Sequence, residues 1–293
     1  MKPSKLVLGT VQFGLNYGIS NTGGQTGFHE VCRILETAYE RGIRTLDTAA
    51  AYGESETVLG RALQETALAD EFNIVSKVMP LPEDVEDAQA EKLIRESLEK
   101  SLENLRCSSL HTLLFHRERD WKFANLLQQC KQEGLIGNVG CSVDGVLPPD
   151  LEKLEAVQVP GNLLDKRFFP FIKSRNRNCK VYVRSVYLQG LLLMPEERIP
   201  LSLHSVLPYR CNLTELAEKN DMTLAELCVR YLCSVPEIDG VLTGVENAEQ
   251  LKINLDLAEK GVLSPEIMQA ADEMIPTLAE EIIRPSLWKK QEK

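Results

Sequence analysis

The chain has 293 residues, 43% hydrophobic and 26% charged, the balance of a soluble globular protein. A formal charge of −10 disfavours nucleic acid as a partner, so any bound phosphate must be held by local groups against the overall field. Eight cysteines without a CxxC pair and only four histidines leave no metal-site spacing, and no apolar run approaches the ~20 residues of a membrane span.

No signal peptide opens the chain, because MKPSKLVLGT runs directly into a β-rich stretch at residues 6–10; a reduced, cytoplasmic compartment is the expectation. A helical pattern at 30–41, ended by Gly42, leads to a strand at 45–49. A helix at 55–64 is followed by a strand at 73–77. The clearest helix spans 90–106, where Leu93, Ile94, Leu98, Leu102 and Leu105 form one apolar stripe. A strand at 110–116 and a helix at 121–133, closed by Gly134, follow. Strands at 136–142, 156–160 and 180–186 come next. The long stretch 191–238 contains MPEERIPLSLHSVLPYR and reads as a loop over the active face. Helix 223–233 leads to a last strand at 239–245 and a helix at 248–258 before Gly261. A further helix at 264–278 and the tail IIRPSLWKKQEK end the chain.

Eight nearly continuous apolar strands alternating with helices imply a parallel sheet covered on both faces. The count predicts an α/β fold closed into a (β/α)8 TIM barrel, one domain over residues 1–293.

Four polar residues mark the ends of successive strands: Asp47 and Tyr52 in TLDTAAAYG, Lys77 in NIVSK and His116 in TLLFH. That is where a barrel carries its chemistry. Reduction of a carbonyl needs a proton for the developing alkoxide. A phenol, with its pKa of ~10, is too weak an acid unless a neighbouring cation stabilises its anion. A lysine can do so, an aspartate can hold that lysine charged, and a histidine can orient the carbonyl or relay the proton.

Taken one at a time, Asp47 and Tyr52 also read as an end cap and a loop tyrosine, and His116 as a satisfied buried histidine. His29, His111 and His204 lack comparable company. Cys141 reads as barrel packing, Trp121 and Trp288 as packing, and the Arg117-Glu118-Arg119-Asp120 run as a solvated loop.

The run Asp47-Thr-Ala-Ala-Ala-Tyr52-Gly53, with SETVLGRAL after it, resembles the signature of the aldo-keto reductase superfamily. Lys77 in IVSKV and His116 in LLFHR resemble that family's lysine and histidine motifs. The resemblance runs from LVLGTVQFG to VENAEQLKINL. It implies a nicotinamide cofactor, NADPH with NADH also compatible, bound without a Rossmann domain. It further implies that Thr10 lies under the cofactor near the first strand, that Asp47 also contacts the cofactor, and that Ser142 and Gln158 bind the carboxamide. Ser185, Leu188 and Gly190 would hold the pyrophosphate, and Gly244, Val245, Gln250 and Asn254 the adenosine end.

Three positions depart from the family. Val143 follows the carboxamide serine where an asparagine is common. Arg184 replaces the tyrosine that stacks on the nicotinamide, and its charge would favour the neutral, reduced cofactor. Gly244 and Gln250 stand where a lysine and an arginine grip a 2′-phosphate, with Glu246 nearby. The expected activity is NAD(P)H-dependent reduction of an aldehyde or ketone, with Tyr52 as proton donor and no metal. Its substrate would be a small carbonyl compound, sugar-like if Gln12, Asn16, Tyr17, Trp121, Tyr187 and Tyr209 line the pocket. Two other readings stand beside it: a non-catalytic nicotinamide sensor, and a Schiff-base aldolase or isomerase using Lys77.

Overall fold

The computed structural model describes residues 4–19, 21 and 23–288, so the last five residues of the tail lie outside it. Eight strands pair in parallel in chain order and close into a barrel: β1 (Leu6–Gly9), β2 (Thr45–Asp47), β3 (Asn73–Val78), β4 (Leu110–Phe115), β5 (Ile136–Ser142), β6 (Ala156–Pro160), β7 (Lys180–Arg184) and β8 (Gly240–Gly244). The fold is the expected (β/α)8 barrel, and every strand sits where the apolar runs placed it. Its helices begin with α1 (Val11–Gly14), α2 (Phe28–Glu40), α3 (Ser55–Glu65), α4 (Asp87–Leu105) and α5 (Ala124–Gln132). They continue with α6 (Phe169–Ser174), α7 (Leu207–Glu218), α8 (Leu224–Cys233), α9 (Ala248–Glu259), α10 (Pro265–Met274) and α11 (Glu280–Ile283).

Three differences from the sequence reading have local causes. Strand β7 stops at Arg184 rather than at residue 186, because Ser185 turns into the left-handed region at φ 70°. The stretch 191–238 is not a bare loop: short 3₁₀ turns (Glu196–Arg198, Leu201–Val206) lead into α7 before α8 begins. Helix α7 escaped detection because it buries only Leu213, Leu216 and Ala217, too sparse a stripe to stand out. Finally, the predicted helix 264–278 ends at Met274, where Pro276 two residues on cannot continue it.

Side-chain alternation divides the barrel residues into two sets. Outward, Leu8, Leu46, Leu113, Val157 and Val181 join the main core with helix residues such as Ile34, Leu59 and Ile94. Inward, Val7, Val75, Leu114, Ala156, Tyr182 and Leu242 form a separate apolar plug. Two residues further along the same strands stand Lys77, His116, Gln158 and Arg184. Because the side-chain period is two, a plug residue on the strand dictates that these polar groups also face inward, one layer above. The plug therefore floors the site.

Candidate active site

Lys77 is 1% exposed and Asp47 3% exposed, a charged pair closed off from solvent. Lys77 Nζ donates to Asp47 Oδ1 and Oδ2, each at 2.8 Å, and to the Thr48 carbonyl at 2.8 Å. Burial by itself would push the Lys77 pKa down; the Asp47 carboxylate, with the nearby Tyr52, more than offsets that and holds it above the usual lysine value. The lysine stays charged. Asp47 is fixed from other sides as well. Gln158 Nε2 donates to its Oδ1 at 2.6 Å, and Thr10 Oγ1 donates to its backbone carbonyl at 3.0 Å.

Tyr52 sits on the loop after β2, and two glycines set its position. A Cβ on Gly14 would collide with the Tyr52 carbonyl and the Ser55 amide, while Gly53, at φ 58°, lies against the Gly14 carbonyl. Only two residues without side chains allow these backbones to touch. Lys77 Nζ lies 5.0 Å from the Tyr52 ring centroid, and the His116 ring meets that of Tyr52 edge-on at 5.8 Å and 85°. The four residues singled out from strand ends thus converge. Burial, then the charges of Lys77, Arg184 and Arg117, lower the His116 pKa from 6.5 to about 3. These influences keep His116 a neutral imidazole at ordinary pH, with one donor and one acceptor nitrogen.

A cavity of about 560 Å³ opens over this cluster. Of the predicted cofactor residues, Thr10, Asp47, Gln158, Arg184, Ser185 and Gly190 line it at one end. Gly244, Val245, Gln250 and Asn254 also line it. Leu188 does not: its side chain is fully buried in the core, and its amide is used by the Ser185 carbonyl. Ser142 pairs with Gln158 in the sheet register but does not line the cavity. The Gln250 side chain is already engaged, its Oε1 accepting from the Glu246 amide at the start of α9. Tyr17, Gln12 and Tyr187 line the cavity; Asn16, Trp121 and Tyr209 do not, Trp121 instead packing edge-on against Phe115.

Several groups at the site carry no signal in the sequence. Arg198, on the 3₁₀ turn of the long connection, lines the cavity and has no acidic partner among the described residues. The charge run 117–120 is not simply solvated. Glu118 accepts from the Gly145 amide at 2.9 Å, and the buried Asp120 accepts from the Leu81 amide at 3.2 Å. Both tie catalytic-face loops together, a role that loop charges do not advertise before the chain is folded. Asp144 pairs with Arg184 at 3.1 Å. Cys141 is fully buried and burial raises its pKa, as packing requires; all eight cysteines are free thiols. No helix among the described residues is long and apolar enough to cross a membrane.

Buried polar atoms without partners point to what the cavity accepts. Gln158 Oε1, Gln12 Oε1, Thr243 Oγ1 and His116 Nδ1 have none, and the first three belong to cavity-lining residues. Leaving such an atom unpaired costs about 1–3 kcal/mol. Of the five such atoms among the described residues, three thus belong to this cavity, His116 Nδ1 lies in the layer with Lys77, and Ser101 Oγ is on α4.

Known proteins resemble the chain in sequence and in fold. The chain is 27% identical over 252 residues to D-arabinose 1-dehydrogenase of Saccharomyces cerevisiae, covering 76% of this chain and 75% of the relative. It is 27% identical over 209 residues to glyoxal reductase of Bacillus subtilis, covering 69% of each. In fold it is similar to an aldo-keto reductase of Bacillus halodurans solved in its holo form, at TM-score 0.77 and 23% identity, over 96% of this chain and 95% of that one. It is also similar to a glycerol dehydrogenase of Gluconobacter oxydans, at TM-score 0.73 and 21% identity, over 99% and 95% of the two chains. The profile of the Aldo/keto reductase family matches residues 5–276, nearly the whole barrel with its four converging residues, and the chain belongs to that family of NAD(P)H-dependent oxidoreductases.

Proposed function

We propose that the chain reduces an aldehyde or ketone to an alcohol, with Tyr52 delivering the proton to the carbonyl oxygen. The observation that carries this reading is the buried Lys77–Asp47 pair beneath the Tyr52 ring. A permanent ammonium there stabilises the phenolate left when the proton departs. Neutral His116 donates a hydrogen bond that orients the carbonyl towards Tyr52.

The nicotinamide dinucleotide supplies the hydride when bound. Gln158 fits its carboxamide: Nε2 is committed to Asp47, and the buried, unpartnered Oε1 is an acceptor for an amide N–H. Ser185 and Gly190 would lie along the diphosphate, and Val245 and Asn254 along the adenosine end. Glu246 lines that end, where a carboxylate suits a ribose diol and repels a 2′-phosphate, so NADH is favoured over NADPH. The polar rim of Gln12, Tyr17 and Gln189 suits a hydroxylated, sugar-like carbonyl, in keeping with the name of the yeast relative. A Schiff-base mechanism is disfavoured, because a lysine held charged by two carboxylate oxygens is a poor amine nucleophile.

Titrating wild type and Tyr52→Phe with NADH and NADPH, beside a carbonyl turnover assay, tests the reading. The phenol-to-phenyl change is expected to lower kcat by ~10²–10⁴, the range of general acid catalysis, with cofactor affinity nearly unchanged and NADH the tighter ligand. Turnover near the wild-type rate in Tyr52→Phe would remove Tyr52 as the acid.

A further inference from the structure

Arg184 raises an electrostatic question. It lines the cavity beside Tyr52 and Gln158, and its charge reaches far enough to help lower the pKa of His116. Any ring that shares a carbonyl with Tyr52 lies near this guanidinium. A reduced nicotinamide is neutral, an oxidised one carries a positive charge, and a bare arginine would discriminate against the second.

The guanidinium is not bare. Its Nη2 donates to Asp144 Oδ1 at 3.1 Å and to the Val143 carbonyl at 3.1 Å. Asp144 is in turn gripped on every side. Its Oδ2 accepts from Arg284 Nη2 at 3.1 Å and from Ser286 Oγ at 2.7 Å, both on the C-terminal segment. Its carbonyl accepts from Arg167 Nη1 at 3.2 Å, and its amide faces Glu118 Oε2 at 3.4 Å. Burial would raise the Asp144 pKa, but the Ser286 hydrogen bond and the charges of Arg184 and Arg284 hold it below the usual carboxylate range. The other cations have acids of their own: Arg284 pairs with Glu280 at 2.6 Å and Arg167 with Asp165 at 2.8 Å. Three arginines thus sit among four carboxylates, Asp144, Glu280, Asp165 and Glu118, and Asp144 is the one paired with Arg184.

Resting on the nicotinamide reading above, we infer that Asp144 is a positioning residue that offsets the charge of Arg184 at the cavity wall. The pocket therefore holds the cationic, oxidised nicotinamide as well as the neutral, reduced one. The C-terminal segment is part of this device, since Arg284 and Ser286 fix the carboxylate that fixes Arg184. A family-like tyrosine at position 184 needs no such counter-charge; an arginine does.

The test is the ratio of dissociation constants for NAD⁺ and NADH, read on the full-length protein by calorimetry and nicotinamide fluorescence, without turnover. Asp144→Asn keeps the shape and removes the charge, and is expected to raise the oxidised-to-reduced ratio roughly ten-fold through the uncovered guanidinium. The double variant Arg184→Met/Asp144→Asn removes both charges and is expected to return the ratio to within about three-fold of wild type. Arg184→Met alone removes the cation and leaves the Asp144 carboxylate, so it is expected to lower the ratio, and it needs no stable Asp144 variant. Both forms bound with an unchanged ratio in Asp144→Asn would overturn the inference. So would a double variant whose ratio stays as high as that of Asp144→Asn, or an Arg184→Met variant that does not lower the ratio. If wild type binds neither form, the nicotinamide reading itself fails.

Discussion

A lysine at 1% exposure keeps its proton only when its surroundings replace water, and around Lys77 they do so completely: two carboxylate oxygens and a carbonyl take its donors. His116 shows the opposite outcome in the same layer. With no acid facing it and three cations nearby, it is held neutral, and this sets the pH response of the fold. Its pKa is 6.5 when unfolded and about 3 when folded, so below 6.5 the unfolded chain takes up a proton that the folded chain refuses. Stability from this residue is complete above pH 6.5 and is lost as pH falls towards 3, at about 1.4 kcal/mol per unit for one proton. Comparing urea midpoints of wild type and His116→Gln from pH 7 to pH 4 checks this. The variant is expected to lose the His116 share of the slope, and parallel curves would contradict it. At this scale the sequence was informative wherever motif and strand end coincided, as at Asp47, Tyr52, Lys77 and His116. It was silent about Asp144 and Glu118, whose partners come from other loops and the C-terminal segment. A loop carboxylate looks the same whether it meets water or a guanidinium.

Among the elements, strands were easier to find than helices. Barrel strands are buried on both faces and stand out as apolar runs, whereas α6 has only six residues and α7 a thin apolar stripe. The least visible element matters most to the chemistry. Helix α1, four residues long, brings Gly14 against the loop that carries Tyr52. Gly14→Ala would force those backbones apart. Overpacking of this kind is expected to cost about 1–3 kcal/mol, and an ångström of displacement at Tyr52 about 10²-fold in kcat. Thermal melting and single-turnover rates measure the two separately, and a variant that keeps full activity would show that the loop tolerates the shift.

For the whole molecule, closure of the barrel leaves no sheet edge, and the stacking of plug and polar layer gives the site a rigid floor. Electrostatics work against it at this scale: a chain of net charge −10 must attract an anionic dinucleotide. Arg184 is matched by Asp144, which leaves Arg198 as the cavity-lining cation without an acidic partner among the described residues. Arg198→Gln is expected to weaken dinucleotide binding about ten-fold at low salt and to flatten its salt dependence. Affinity unchanged from 20 to 300 mM salt in both proteins, about a four-fold span in Debye length, would remove Arg198 from that role.

The contact between Asp144 and the segment at 284–286 also bears on how the protein comes into being. Every strand of the barrel precedes that segment, so on the ribosome β8 emerges before Arg284 and Ser286 do. A nascent chain can therefore close its barrel while its arginine at the cavity wall is still unset. Competence waits for a segment that lies forty residues beyond the last strand.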